Sequence, residues 1–260
     1  MVKSDPKMSK KKLILKIGSS TLCAGTDRIS YAKVEDIARQ IISLRDVYDI
    51  VLVSSGAIAA ARQFVDISNG SMQVDSKQAM AAIGQPKLIS IYDEVFSSFG
   101  LKVAQCLLVY RDFESDVAKK NVKNTINKLL EFGYTPIINE NDTVAVDEIV
   151  LGDNDKLSAY VAVITAADLL VLASDIDGLY TQNPFHHKDA ELVNEVTDIE
   201  KITSFIDENK SSLGTGGMAT KIQAASICKK QNIEMWILNG GRNNFLVDAL
   251  ASKITFTKFH

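Results

Sequence analysis

Apolar and polar positions alternate between two textures along this 260-residue chain. Short β-branched apolar runs occur at Leu13–Ile17, Ile50–Ser54, Val103–Val109, Thr135–Asn139, Asp168–Ala173 and Glu234–Asn239. They read apolar on both faces, as strands covered from both sides do. Between them lie longer amphipathic stretches near Ala32–Tyr48, Lys77–Phe99, Ser115–Phe132, Asp155–Ala166 and Met218–Lys230, with helical spacing of their apolar residues. Strand and helix in turn predict an α/β chain with a mostly parallel sheet covered by helices. Thr143–Leu151 alternates and then turns, which predicts a hairpin. Thr181–Asp198 is polar and broken at Asn183-Pro184, which predicts loop with at most short excursions. No repeat, low-complexity block or linker divides the chain, so a single domain is expected.

Composition narrows the function classes. The apolar fraction of 46% and charged fraction of 23% are those of an ordinary soluble protein. A net charge of −3 gives no reason to expect nucleic acid or an anionic membrane as partner. The apolar runs, such as Leu169–Ala173, are strand-sized and too short to span a bilayer. Met1–Lys12 is basic but lacks the long apolar stretch and cleavage site of a secretory signal. It reads as a disordered leader of a cytoplasmic protein, with Met8 an alternative start. Cys23, Cys106 and Cys228 show no CxxC spacing and read as reduced thiols. Three histidines, two of them adjacent, and no HExxH argue against histidine acid–base or zinc chemistry. No protein-built metal site is expected.

The chemistry-bearing residues fall at strand ends, where open α/β sheets bind ligands. Lys16-Ile17-Gly18-Ser19-Ser20 closes the first strand with one charge, a glycine and two hydroxyls, a set that can hold a phosphate. A solvated strand-end lysine explains Lys16 equally well. Ser54-Ser55-Gly56-Ala57-Ile58 leads a strand into an alanine-rich helix whose N-terminus favours an anion. Helix capping accounts for one of those serines, but not for Gly56. Asn139-Glu140-Asn141-Asp142 and Gly152-Asp153-Asn154-Asp155 gather amides and carboxylates suited to an amino-acid ligand, although Asp153 or Asn154 also caps the next helix. The second cluster is too rich in amides for an all-protein Mg²⁺ cage. Gly214-Thr215-Gly216-Gly217-Met218-Ala219-Thr220-Lys221 forms a backbone nest opening the last long helix. It matches neither a Walker A loop nor a Rossmann fingerprint. Ser174-Asp175 follows a buried strand, with a turn at Asp177-Gly178.

Together and in this order, these pieces resemble the amino-acid kinase family, from about Leu13 to Gly240. Lys77-Gln78 and Ala81-Ala82-Ile83-Gly84-Gln85 add to the likeness. The resemblance implies a three-layer αβα sandwich with a central, mostly parallel sheet, and ATP with Mg²⁺ as phosphoryl donor. It implies that Lys16 and Lys221 bind the phosphates and stabilise the transferring group, with Asp175 positioning both lysines. Ser55, Asp142 and Asn154 would hold the acceptor. Lys16, Gly18, Ser174, Asp175 and Thr215, Gly216, Gly217, Met218, Ala219, Thr220 and Lys221 would embrace the nucleotide. Ser19, where the family's aspartate and acetylglutamate kinases usually carry glycine, leans the acceptor toward L-glutamate and the product toward L-glutamate 5-phosphate, the first step of proline biosynthesis. The alternatives are another acceptor within the family or a non-catalytic nucleotide and amino-acid sensor.

The same resemblance implies inhibition by proline and hand-over of the product to the glutamyl phosphate reductase, and a homo-oligomer is expected, with the long Lys77–Phe99 helix and neighbouring loops able to form its interface. Two positions depart from the pattern. Val150 stands where a basic residue is common before the Gly-Asp-Asn-Asp turn, and Ser174 where threonine is common. A kinase domain over residues 13–260 is expected, without the C-terminal PUA domain that many bacterial members carry. The chemistry agrees with the residues. A glutamate carboxylate, with a free pKa near roughly 4.3, is already ionised at neutral pH and needs no general base. The barrier is repulsion between anions, which lysines, Mg²⁺ and N–H groups relieve.

Overall fold

A computed structural model describes residues 10–65, 73–144, 154–182, 184, 186–200, 202 and 217–260. Its centre is an eight-stranded sheet in the order β3-β4-β2-β1-β5-β7-β8-β6. The strands are β1 (Lys11–Ile17), β2 (Tyr48–Ser54), β3 (Lys102–Leu108), β4 (Tyr134–Glu140), β5 (Leu169–Ser174), β6 (Glu195–Val196), β7 (Glu234–Asn239) and β8 (Thr257–Phe259). β1–β5 and β7 form one parallel block, from β3 at one edge to β7. β8 runs antiparallel to β7, and β6 parallel to β8. All six predicted strands are present within a residue or two. The mostly parallel αβα sandwich is the observed architecture.

Strand parity builds two cores. Leu13, Leu15 and Ile17 of β1 face one way with Leu52, Val171 and Leu238. They are covered by α2 (Tyr31–Leu44), the long α4 (Val74–Ser98) and α8 (Phe245–Leu250). Ile14 faces the other way with Val51, Val53, Leu170, Leu172 and Ile237. That side is covered by α5 (Asp116–Glu131), α6 (Asn154–Thr165) and α7 (Gly217–Lys229). Both faces of β1 and β5 are therefore dry, and each fully buried Leu or Ile contributes roughly 1.5–3 kcal/mol. Lys16 shares parity with Ile14, so its side chain enters the α6–α7 side rather than solvent.

Local signals set the helix starts. Ser30 and Ser115 accept hydrogen bonds from the Lys33 and Ala118 backbone N–H groups, capping α2 and α5. The helix expected over Ala32–Tyr48 ends at Leu44. The Val47 N–H closes a turn on the Leu44 carbonyl, and the Lys11 N–H reaches the Val47 carbonyl, which draws Tyr48 into the sheet. The short α1 (Ser19–Cys23) and α3 (Ala57–Ala61) follow β1 and β2 directly, each after a glycine. Gly56 sits at φ 110°, and an added Cβ there would lie 3.1 Å from Leu22. Gly84 is required by close approach: α4 crosses α3 so tightly that a Cβ would fall 1.7 Å from the Ala57 carbonyl oxygen. Most of the expected hairpin, residues 145–151, lies outside the described residues.

Candidate active site

Because the block is parallel, β1, β2, β4, β5 and β7 all deliver their carboxyl ends to one edge. There Lys16, on the α6–α7 side, meets the first turn of α6. Its ammonium lies 2.6 Å from Asp155 Oδ1. Lys221, one turn into α7, donates to Asp155 Oδ2 at 2.9 Å and to the Gly217 carbonyl at 3.2 Å. The Thr220 hydroxyl reaches the same Asp155 oxygen at 3.3 Å. Asp155 is fully buried, and both lysines nearly so. One carboxylate thus bridges two ammonium groups, and the trio carries one net positive charge at the N-terminus of α7. Charge of that sign beside helix N-terminal N–H groups suits a polyphosphate anion.

The bridging carboxylate is Asp155, which the sequence reading placed in the Gly152–Asp155 cluster without giving it a part in holding the lysines. The expected organiser, Asp175, is exposed and takes a hydrogen bond from the Ser174 hydroxyl at 3.1 Å. The reason is geometric. Asp175 lies beyond the end of β5, whereas α6 packs over β1 and points its first turn at Lys16. Among expected nucleotide contacts, Gly18, Ser174, Asp175 and Gly217–Lys221 are at this edge. Thr215 and Gly216 lie outside the described residues. The turn after Asp175 is firmly held. Asp177 accepts from Asn239 at 3.1 Å and Arg242 at 2.8 Å, and the Leu179 N–H donates to the Thr257 hydroxyl at 2.7 Å.

One residue away from the bridge, a chain of amides opens a second compartment. The Glu140 backbone N–H, an unambiguous donor, points at Asn139 Oδ1 at 2.9 Å. This fixes the orientation of Asn139, whose Nδ2 donates to Gln85 Oε1 at 2.8 Å. Gln85 in turn donates to Gln105 at 3.4 Å. Asn139 Oδ1 also accepts from Asn154 Nδ2 at 2.9 Å, and the second Asn154 hydrogen goes to Ser55 Oγ at 2.8 Å. Asn154 Oδ1 is buried without a hydrogen-bond partner among the described residues. A buried acceptor left open beside a cleft suits an N–H donor from a ligand or a water.

That cleft has a volume of about 640 Å³ and is lined by Ser19, Ser55, Ile58, Arg62, Glu140 and Asp142, among others. Ser55, Asp142 and Asn154, expected to hold the acceptor, all line it. Burial pushes the Asp142 carboxyl above its ordinary pKa. The sequence reading missed Asn139 and Gln85 as orienting residues and Arg62 as a lining cation. Gln85 carried a signal in the Ala81–Gln85 stretch of the resemblance and Asn139 in the Asn139–Asp142 cluster, whereas Arg62 carried none. Deeper, the Ser54 hydroxyl bonds the Tyr92 phenol at 2.9 Å, anchoring β2 to α4.

No cluster of three or more His, Cys, Asp or Glu with metal-binding geometry occurs among the described residues. No helix among them is long and apolar enough to cross a membrane. All three cysteines are free thiols, and burial pushes Cys228 up to about 12.

The family model for the amino acid kinase family matches residues 11–239. The chain belongs to the amino acid kinase family. Within it, a protein named glutamate 5-kinase from Clostridium tetani is 43% identical over 252 residues, covering 96% of this chain and 94% of that protein. A glutamate 5-kinase from Thermus thermophilus is 41% identical over 256 residues, covering 98% of this chain and 69% of the other. Among solved structures, UMP kinase from Ureaplasma parvum superposes with a TM-score of 0.67 at 18% identity, covering 97% and 99% of the two chains. An isopentenyl phosphate kinase superposes at 0.63 and 17% identity, covering 96% and 100%. These two share the family's fold.

Proposed function

We propose that this chain is a glutamate 5-kinase, transferring the γ-phosphoryl group of ATP to the side-chain carboxylate of L-glutamate. One observation carries the reading: the buried Lys16–Asp155–Lys221 bridge stands one residue from Asn154, which opens the acceptor cleft. A carboxylate oxygen of glutamate attacks the γ-phosphorus, and the bond from phosphorus to the β,γ-bridging oxygen breaks. The electron pair leaves with ADP, and the product is L-glutamate 5-phosphate. No proton moves, because the acceptor is already ionised at neutral pH. Lys16 and Lys221 lie where negative charge gathers on the transferring group, and Asp155 holds them in place before substrate arrives. Ser55, Asn154 and Asp142 orient the acceptor, with the open Asn154 oxygen and the Asp142 carboxylate suited to its ammonium.

Mg²⁺ would come with ATP and would lower the charge of its phosphates, beside Lys16 and Lys221. The same reading extends to a cytoplasmic location, a place in proline biosynthesis, inhibition by proline, hand-over to the glutamyl phosphate reductase and a homo-oligomer, each supported by the family likeness alone. The test is ADP release with L-glutamate, L-aspartate and N-acetyl-L-glutamate at equal concentration, with hydroxylamine trapping of the acyl phosphate. Glutamate is expected to lead by at least roughly tenfold in kcat/KM. Stabilisation by ATP and glutamate with no ADP formed would instead identify a sensor.

A further inference from the structure

L-Glutamate brings two carboxylates and one ammonium into the cleft. On the proposed function its side-chain carboxylate has to reach Lys16 and Lys221 past Asn154. The acceptors that line the cleft for its ammonium are Asn154 Oδ1, Glu140 and Asp142. The α-carboxylate is then left in a compartment whose described lining carries three acids, Asp27, Glu140 and Asp142, and a single cation, Arg62. Without a positive partner it would be repelled there. The two lysines cannot serve, since both are held on Asp155 at the phosphoryl end and neither lines the cleft.

Arg62 is placed for that task. It caps the C-terminus of α3, with its backbone N–H on the Ile58 carbonyl at 3.2 Å. α3 starts right after Ser55-Gly56, so Arg62 lies about 10 Å along the helix axis from the acceptor-binding serine. Helical side chains lean back toward the N-terminus, so a long side chain at this position extends over the preceding turn, toward Ser55. The platform is rigid, because Ala57, Ala60 and Ala61 are buried and Gly84 of α4 packs directly on the α3 backbone. The guanidinium has no ion-pair partner among the described residues. Its charge is felt across the cleft: burial raises the Cys23 thiol, while Arg62 opposes and Asp27 adds to that rise.

We infer that Arg62 recognises the α-carboxylate of the acceptor and so sets the requirement for an acceptor with a free α-carboxylate. The guanidinium fork pairs with a carboxylate through two parallel N–H bonds, which a lysine cannot reproduce. The inference rests on the glutamate-kinase reading, and the two fail in different ways.

The experiment compares L-glutamate with its α-amide, L-isoglutamine, as acceptors for the wild-type protein, Arg62→Ala and Arg62→Lys, following ADP release under steady state. The α-amide keeps the reacting side-chain carboxylate and the ammonium but removes the α-charge. Wild-type protein is expected to prefer glutamate by roughly 10–100-fold in kcat/KM, the usual discrimination of a charge-assisted hydrogen-bonding site. In Arg62→Ala the preference should collapse toward parity, through a rise in KM for glutamate, and Arg62→Lys should fall between. A wild-type preference retained in both variants overturns the inference while leaving the functional reading intact. Wild-type protein that releases no ADP with glutamate overturns both. Circular dichroism and the thermal shift with ATP verify that the substitution leaves the fold and the nucleotide site in place.

Discussion

Asp155→Asn is the substitution that separates a structural from a catalytic account of the two-lysine bridge. Asp155 is fully buried and holds Lys16 at 2.6 Å and Lys221 at 2.9 Å on its two oxygens. Asparagine keeps the shape but removes the charge and turns one end into a donor facing an ammonium. Two ammonium groups on the order of 5 Å apart repel by about 3 kcal/mol at an effective dielectric near 20. Removing one partner of a buried ion pair costs about 3–5 kcal/mol, which sets the same scale independently. For a domain of this size, about 3 kcal/mol corresponds to a fall in Tm of roughly 6–12 °C. ATP then becomes the compensating anion. The thermal shift produced by saturating ATP should therefore be larger in the variant than in the wild type, although kcat falls by roughly 10²–10³ because the lysines are no longer held in line. Differential scanning fluorimetry with and without ATP, beside coupled ADP release, measures both. A variant with wild-type Tm and an unchanged ATP shift would refute the charge argument. Wild-type kcat would refute the positioning role.

Lys16→Ala and Lys221→Ala should each fold normally, since either removal leaves Asp155 paired with the other lysine, yet each should lose at least about 10²-fold in kcat by ADP release. Asp142→Asn should raise KM for glutamate. It should also raise Tm at neutral pH: burial lifts the folded-state pKa, so the folded form binds more protons than the unfolded one between the ordinary carboxyl pKa and that raised value. Native Asp142 therefore costs stability as pH rises through that window, and the Tm gain of the variant should vanish below the ordinary carboxyl pKa. Gly84→Ala should destabilise by more than about 1–3 kcal/mol, because its Cβ meets the backbone of α3 rather than a side chain that can turn away, and urea unfolding reads the loss.

The strands were legible because each is a β-branched run with no competing pattern, and β1, β2 and β4 end on or next to Lys16, Ser55 and Asn139. β8 was not legible: three residues carry too little alternation to announce a strand, and only its antiparallel pairing with β7 and parallel pairing with β6 make it one. In the site, Lys16 and Ser55 stood out at the ends of apolar runs and Lys221 behind a glycine-rich stretch, while the roles given to these lysines and to Ser55, Asp142 and Asn154 came from the family resemblance. Asp155 escaped because an acid in the first turn of a helix is already explained by the helix dipole. Its role depends on which strand α6 covers and on the parity that turns Lys16 toward that helix, and both are tertiary facts. Arg62 escaped similarly, as one arginine after an alanine-rich helix.

The adjacency of Asn154 and Asp155 ties the two compartments to one helix turn. The Glu140 N–H fixes Asn139, Asn139 fixes Asn154, and both Asn154 N–H bonds are then occupied by Asn139 and Ser55. The orientation of a buried side chain is thus transmitted from a backbone N–H on β4 to the first residue of α6. The next residue of that helix is the carboxylate holding Lys16 and Lys221. A shift of α6 large enough to misplace the acceptor therefore also misplaces the lysines, so acceptor position and phosphoryl position are set by one helix turn. Asn154→Ala tests this coupling. If the turn is a single unit, the substitution lowers kcat as well as raising KM for glutamate, and it weakens the thermal shift with ATP alone. A pure KM effect would mean that the amide chain orients the acceptor without reaching the lysines.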